Sequence, residues 1–381
     1  MIKKFILAAA LAMLFFSGCD RSAEQRGQRP ADSVVIRDRS AFSISLATPL
    51  SAEDAEIWRN IEERSRNPNR IQFRVATVLH NYNDGHPGRT SRQFLIELKR
   101  RLGDGIEIRI FYGGIMGVTA DQIVGGLQGQ VFEMMDNNVG SFAEYSNAFL
   151  PLDVMYLVPN AEAAIKIVNG EPGAIMRQRF LDDTGLLVLG HPKIGMRHVT
   201  TARTPVHHPS DLSGLKIRVQ NNPLHILGMR QFGAAPTPIA FAELFTALQQ
   251  GVIDGQENPL TFIWDMNYTE VQGYLTLTNH LFNAGSITVN NAWFNTLHPD
   301  VRQAFHESIR IAEIYSANEL FRVEHALLEQ ISRELEVTEL TPDQFNQFRT
   351  LSMQAWDEAI DRMGRAYFEQ ISAAIDRILA E

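Results

Sequence analysis

The alternation of strand and helix periods along residues 71–127 restricts the fold more than any other feature of this 381-residue chain. Residues 71–78 read IQFRVATV, with Ile71, Phe73 and Val75 on one face, as a half-buried strand requires. The pattern breaks at Asn81-Tyr82-Asn83-Asp84-Gly85-His86-Pro87-Gly88. Phe94, Leu95, Leu98 and Leu102 then recur at helical spacing over 90–102, and Gly103 supplies a stop. A second strand over 106–112, a turn at Gly113-Gly114 and a helix over 120–127 repeat the unit. This rhythm belongs to a parallel α/β sheet. Residues 132–135 read as its third strand, which sets Asp136-Asn137-Asn138 at a carboxyl end, the edge at which open α/β sheets bind ligands. Asn138 is therefore a candidate contact.

A second α/β unit follows the apolar run 186–190. Residues 196–200 read as a connecting strand, and Asp211-Leu212-Ser213-Gly214 turns into a strand over 215–220. Helices are expected over 225–232 and 241–250, with Gly251 as the stop, and residues 286–293 read as a strand returning to the first unit. From Pro299, a residue suited to a first helical turn, apolar positions keep helical spacing for some 36 residues. At 1.5 Å per residue such a helix is roughly 54 Å long and would bridge two lobes. Helical patterns over 342–363 and 366–379 finish the chain.

The amino terminus combines Lys3 and Lys4, an apolar run over 5–16, and Ser17-Gly18 before Cys19, the single cysteine. This is the layout of a secretory signal peptide over residues 1–18. Phe16-Ser17-Gly18-Cys19 resembles a lipobox, with Phe16 in place of the usual leucine, which makes Cys19 a lipidation site. Residues 19–69 are polar and charged, as a tether needs, with a short helix expected over 52–66. Thirty-five basic against 44 acidic residues give a net charge of −9, or −11 once Lys3 and Lys4 depart. That balance argues against a nucleic-acid partner.

One local arrangement carries chemistry. Leu215-Lys216-Ile217-Arg218-Val219-Gln220 sets Arg218 within a short strand, and forty positions after its arginine come the amides of Gly255-Gln256-Glu257-Asn258-Pro259, read as a loop. A guanidinium presents a planar fork that matches the two oxygens of a carboxylate. Its partner is either a ligand acid or an internal one such as Asp254 or Glu257.

Arg218 and the Gly251-Val252-Ile253-Asp254-Gly255-Gln256-Glu257-Asn258-Pro259 stretch, with His86-Pro87, Gly113-Gly114-Ile115-Met116-Gly117 and Leu150-Pro151-Leu152, resemble the solute-binding receptors of tripartite ATP-independent periplasmic (TRAP) transporters, of the dicarboxylate and sugar-acid type. The likeness runs from about residue 71 to the end. It implies an α/β fold of two lobes, the periplasmic-binding-protein type, with crossover hinge strands and a long lobe-spanning helix. Lobe I would comprise residues 70–195 plus 284–323, and lobe II 196–283 plus 324–381. The resemblance implies a receptor that binds a small organic acid, a C4-dicarboxylate or a sugar acid such as a uronate, outside the cytoplasmic membrane. Membrane permease subunits then take it up on an ion gradient. It further implies that Arg218 and Arg197 bond the ligand carboxylate, that Asn258 adds an amide, Phe241 a packing ring and Asn221 a polar wall, and that Asn138 and His86 reach in from the first lobe.

Other readings start from the same residues. A sensory receptor for a membrane kinase would use the same pocket. A secreted hydrolase needs a nucleophile elbow, a zinc helix or paired carboxylates, and the sequence offers none of these motifs. Adjacent His207 and His208, with His191 and His198, do not match a closed zinc site. The expectation is a non-enzymatic protein with no metal and no cofactor.

Overall fold

The computed structural model describes residues 48–62, 70–79, 85–117 and 119–380. The expected signal peptide, Cys19 and most of the tether lie outside the described residues. Eleven strands run in chain order as β1 (Ile71–Ala76), β2 (Ile106–Phe111), β3 (Met134–Asn138), β4 (Leu186–Gly190), β5 (Lys193–Thr201), β6 (Lys216–Val219), β7 (Ala235–Pro238), β8 (Gly255–Pro259), β9 (Tyr274–Leu277), β10 (Phe282–Asn290) and β11 (Glu336–Glu339). The sheet order is β2-β1-β3-β10-β5-β8-β6-β7, with β4, β9 and β11 at its sides.

The sheet has two wings. In the first, β1 lies parallel to β2 and β3, as the strand–helix rhythm predicts, and the helix His86–Leu102 covers it. In the second, β6 runs parallel to both β7 and β8. Two long, fully buried strands join them. The start of β10 pairs with β5 and its remainder with β3 and β4, while the end of β5 pairs with β8 and β9. Both crossover strands are buried at every position because each passes between layers.

The helix Pro299–Ile331 spans 33 residues, roughly 50 Å. Its Phe305, Ile309 and Ala312 pack with Phe73 and Phe94 of the first wing, and its Val323, Leu327 and Ile331 pack with Leu244, Ile263 and Leu275 of the second. The helix crosses β5 closely. Gly195 has φ +128, and a Cβ there would lie 2.2 Å from Glu324 Oε1, so glycine is what lets the helix approach.

Several expectations change. The amide segment expected as a loop is strand β8: its polar side chains have partners inside the fold, so polarity on both faces does not expose it. The third strand begins at Met134 and includes Asn138, since Phe132 is used to pack beneath Gly126. Strand β10 ends at Asn290, whose side chain accepts from Trp293 N at 2.9 Å and starts the helix Asn291–Thr296. The pattern over 342–363 divides into helices Pro342–Met353 and Trp356–Met363. The latter, with Arg365–Ala380, packs on the first-wing side: Ala359, Ile371 and Ile375 share a core with Ile167, Met176 and Phe180. Placing all of 324–381 with the second lobe therefore fails for these helices. Their apolar stripes match the exposed faces of helices Ala161–Asn169 and Glu171–Thr184, and sequence order does not show that.

Asn222 ties the wings together. Its Oδ1 accepts from Leu224 N at 2.9 Å as the cap of helix Pro223–Gln231, and its Nδ2 donates to Gly140 O at 2.9 Å and Asp153 Oδ2 at 2.7 Å. Asn222→Ala loses the cap and strands buried acceptors. It should lower stability by about 2–4 kcal/mol, read as a reduced urea midpoint at constant m.

Candidate ligand-binding site

A cavity of about 450 Å³ lies between the two wings, within the usual range for small-molecule sites. The first wing contributes the end of β3 and the neighbouring turn. The second contributes the ends of β6, β7 and β8, and Gly285 and Ser286 of β10 lie between. The parallel strands of each wing thus end at the cavity, as the switch-point rule expects. Two hydrogen bonds cross it: Asn138 Nδ2 donates to Gln220 Oε1 at 2.7 Å, and Asn221 Nδ2 to Glu144 Oε1 at 2.5 Å.

Arg218 is 3 % exposed and lines this cavity. Its Nε donates to Ile239 O at 2.9 Å and its Nη2 to the same oxygen at 2.6 Å. Among the described residues its Nη1 has no partner. Burial pushes its pKa down to about 10, which leaves it charged at neutral pH. Neither Asp254 nor Glu257 is its hydrogen-bonding partner, because Asp254 accepts from Lys216 N at 2.8 Å and Glu257 is engaged elsewhere. The backbone carbonyl fixes one edge of the fork and leaves the other toward the cavity. Such a cation is arranged to receive an anion.

Arg197 occupies a different environment. It is 1 % exposed and absent from the cavity lining. Its Nε is ion-paired with Glu257, and its Nη2 reaches Asn258 Oδ1 at 3.2 Å. Glu257 also meets His225 Nδ1 at 3.1 Å and His280 Nε2 at 3.3 Å. Burial alone would raise the Glu257 pKa, but Arg197 and His225 hold it well below the ordinary carboxylate value. For His225, burial is outweighed by Glu257 and Asp153, and its pKa is raised. Arg197 therefore stands one layer behind the cavity, where it orients Asn258 and neutralises Glu257.

Five residues named from sequence are brought together in the lining: Arg218, Asn258, Phe241, Asn221 and Asn138. The Asn258 amide is fixed by donating to Gln256 Oε1. Phe241 stands edge-on to Phe262 with ring centroids 5.2 Å apart, and both rings face the cavity. His86 is not in the lining. It is fully buried below the helix Pro299–Ile331, with Nε2 3.4 Å from Ser316 Oγ, and burial lowers its pKa to about 3. Its neighbour Pro87 reaches the cavity instead.

Sequence reasoning missed Asp136, Ser91 and Gln220. Asp136 precedes Asn138 by two positions, on the same side of β3, and the run Asp136-Asn137-Asn138 was its visible signal. Ser91 donates to Asp136 Oδ2 at 2.7 Å. It comes from a helix whose inward face appears only once it packs on the sheet.

Two α/β wings, joined by crossover strands and a shared helix and closed around a cavity with a buried, half-partnered arginine, define a two-lobed solute-binding protein. The chain belongs to the bacterial extracellular solute-binding protein family 7, whose model matches residues 82–362, the solute receptors of TRAP transporters. It is 34% identical over 225 residues to the 2,3-diketo-L-gulonate-binding periplasmic protein of Escherichia coli K12, covering 59% of this chain and 68% of that one. It is 29% identical over 237 residues to the C4-dicarboxylate-binding periplasmic protein of Rhodobacter capsulatus, covering 61% and 69%. In fold it matches the sugar acid binding protein of Advenella mimigardefordensis in complex with galactonate, with TM-score 0.76 and 24% identity, covering 82% of this chain and 100% of that one. The expected family and two-lobed fold are thereby met, and the named relatives are binding proteins. Among the described residues no helix is long and apolar enough to cross a membrane.

Proposed function

We propose that this protein captures a small organic acid between its lobes and delivers it to the permease of a TRAP transporter. The observation that carries the reading is the buried Arg218, which lines a cavity shared by both wings and whose Nη1 has no partner among the described residues. Its guanidinium bonds the ligand carboxylate, Asn258 and Asn138 bond the acid or adjacent hydroxyls, and Phe241 packs on the carbon chain. The described residues of the first wing move with 356–380 as one lobe and residues 202–281 as the other, with β5 and β10 as hinges. The ligand bonds both lobes and so favours the closed state over the open one by its differential affinity. The same reading places the mature protein outside the cytoplasmic membrane, held by a lipid on Cys19, and does not require catalysis.

Native mass spectrometry of protein purified without added ligand tests this directly. The expected result is one carboxylate in about equal amount, released on denaturation. An empty protein whose melting temperature does not respond to C4-dicarboxylates, uronates or keto acids would reject it. Intact mass of protein extracted with detergent separately tests lipidation: an acyl increment on Cys19 supports it, and an unmodified chain released by salt excludes it.

A further inference from the structure

We propose that the cavity takes a hydroxylated monocarboxylate and turns away dicarboxylates, with Asp136 as the residue that makes the distinction. The inference rests on the reading of Arg218 as the carboxylate anchor.

The cavity is electrically lopsided. Among the described residues its ionisable lining is one cation, Arg218, and three acids, Asp121, Asp136 and Glu144. Asp121 and Glu144 are exposed at the rim, whereas Asp136 is 7 % exposed and lies deep on β3, opposite Ile287 of the crossover strand. A dicarboxylate needs a second cation. The one that the family resemblance implied, Arg197, is held by Glu257 outside the lining. With one carboxylate on Arg218, a second must approach Asp136 or the acidic rim. Like charges at short range in a cavity of low dielectric repel strongly, or one must take up a proton.

A hydroxyl in the same place donates its proton to a carboxylate that accepts readily. Asp136 is already oriented for this by the Ser91 hydroxyl on its Oδ2 at 2.7 Å. The wall between the arginine and the acid supplies both roles a hydroxyl chain needs. Asn138 Oδ1, an acceptor, and Gln220 Nε2, a donor, are buried with no partner among the described residues. Neutral groups that give and accept match this wall, and a second anion does not.

Isothermal titration of the purified protein, freed of bound ligand, with a panel of aldonates and uronates against succinate, malate and 4-aminobutyrate tests the proposal. The tightest polyhydroxy acid should bind at least about 100-fold more tightly than either dicarboxylate, and Asp136→Asn should narrow that ratio at least about tenfold. Succinate or malate binding as tightly as the sugar acids overturns the selectivity while leaving Arg218 as anchor. An unchanged ratio in a folded Asp136→Asn protein removes Asp136 from it. Tightest binding of 4-aminobutyrate overturns the hydroxyl assignment in favour of an ammonium group. Binding of no acid at all overturns the anchor reading and this one with it. The wild-type ranking decides the main point even if the variant does not fold.

Discussion

Arg218→Ala should lower affinity for the bound acid by about 3–5 kcal/mol, a loss on the order of a hundred- to several-thousand-fold. The reason is geometric as well as electrostatic. One edge of the fork is held by Ile239 O, so the other edge arrives at the ligand already oriented, and little ordering remains to oppose binding. Arg218→Lys retains the charge but cannot hold the carbonyl and a carboxylate together, and an intermediate loss of at least about tenfold is expected. Apo stability should respond differently. Without ligand, Arg218 is a buried charge hydrogen-bonded to a carbonyl, and its burial outweighs the attraction of nearby Glu257, so the alanine variant should melt no lower than wild type. Calorimetry with the acid released from the wild-type protein measures the first effect, and thermal unfolding measures the second. Wild-type affinity in a folded Arg218→Ala protein would remove the residue from recognition.

Acid should destabilise the fold steeply. His86, His191 and His198 are buried, and burial lowers each pKa to about 3. These bases are neutral in the native state and titrate near 6.5 when unfolded. Their contribution is complete above that value and is lost as pH falls toward 3, because the unfolded chain binds the protons. Each costs about 1.4 kcal/mol per pH unit in that window. His225 acts in the opposite sense. Its raised pKa stabilises the fold at pH below about 6.5, an effect lost as pH rises through the folded value, so it opposes the three, while buried His280, its pKa lowered chiefly by burial, acts with them. The net change between pH 7.5 and 5.5 is then a loss on the order of a few kcal/mol, a sizeable part of a usual folding free energy. Below pH 4.5 a further loss begins as Glu257 is protonated, since its depressed pKa stabilises only above the unfolded value. Thermal melts across this range check the slope. A midpoint constant from pH 7.5 to 5.5 would show that these histidines are not buried neutral, and His198→Gln should reduce the slope.

Much of the architecture was legible along the chain because its signals are local. The strand–helix rhythm over residues 71–127 and the long helical repeat from Pro299 each express a period that needs no partner to be seen. Arg218 was legible for a related reason: a guanidinium between Ile217 and Val219 must find an acceptor wherever the strand lies. Strand β8 was misread because Gln256, Glu257 and Asn258 look solvated until Thr200, Arg197 and His225 are known to surround them.

What the sequence determined by itself is the family, the two α/β units and the presence of a strand arginine that needs an acceptor, since these depend on short-range pattern and residue chemistry. Tertiary structure decided which charges face the cavity. Arg197 and Arg218 lie 21 positions apart and look equivalent in the chain, yet strand pairing sets Glu257 against one and a carbonyl against the other. Asp136 meets Ser91 across 45 positions for the same reason. A charge's role is fixed by what packs within a few ångströms of it, and that neighbour is seldom close in sequence.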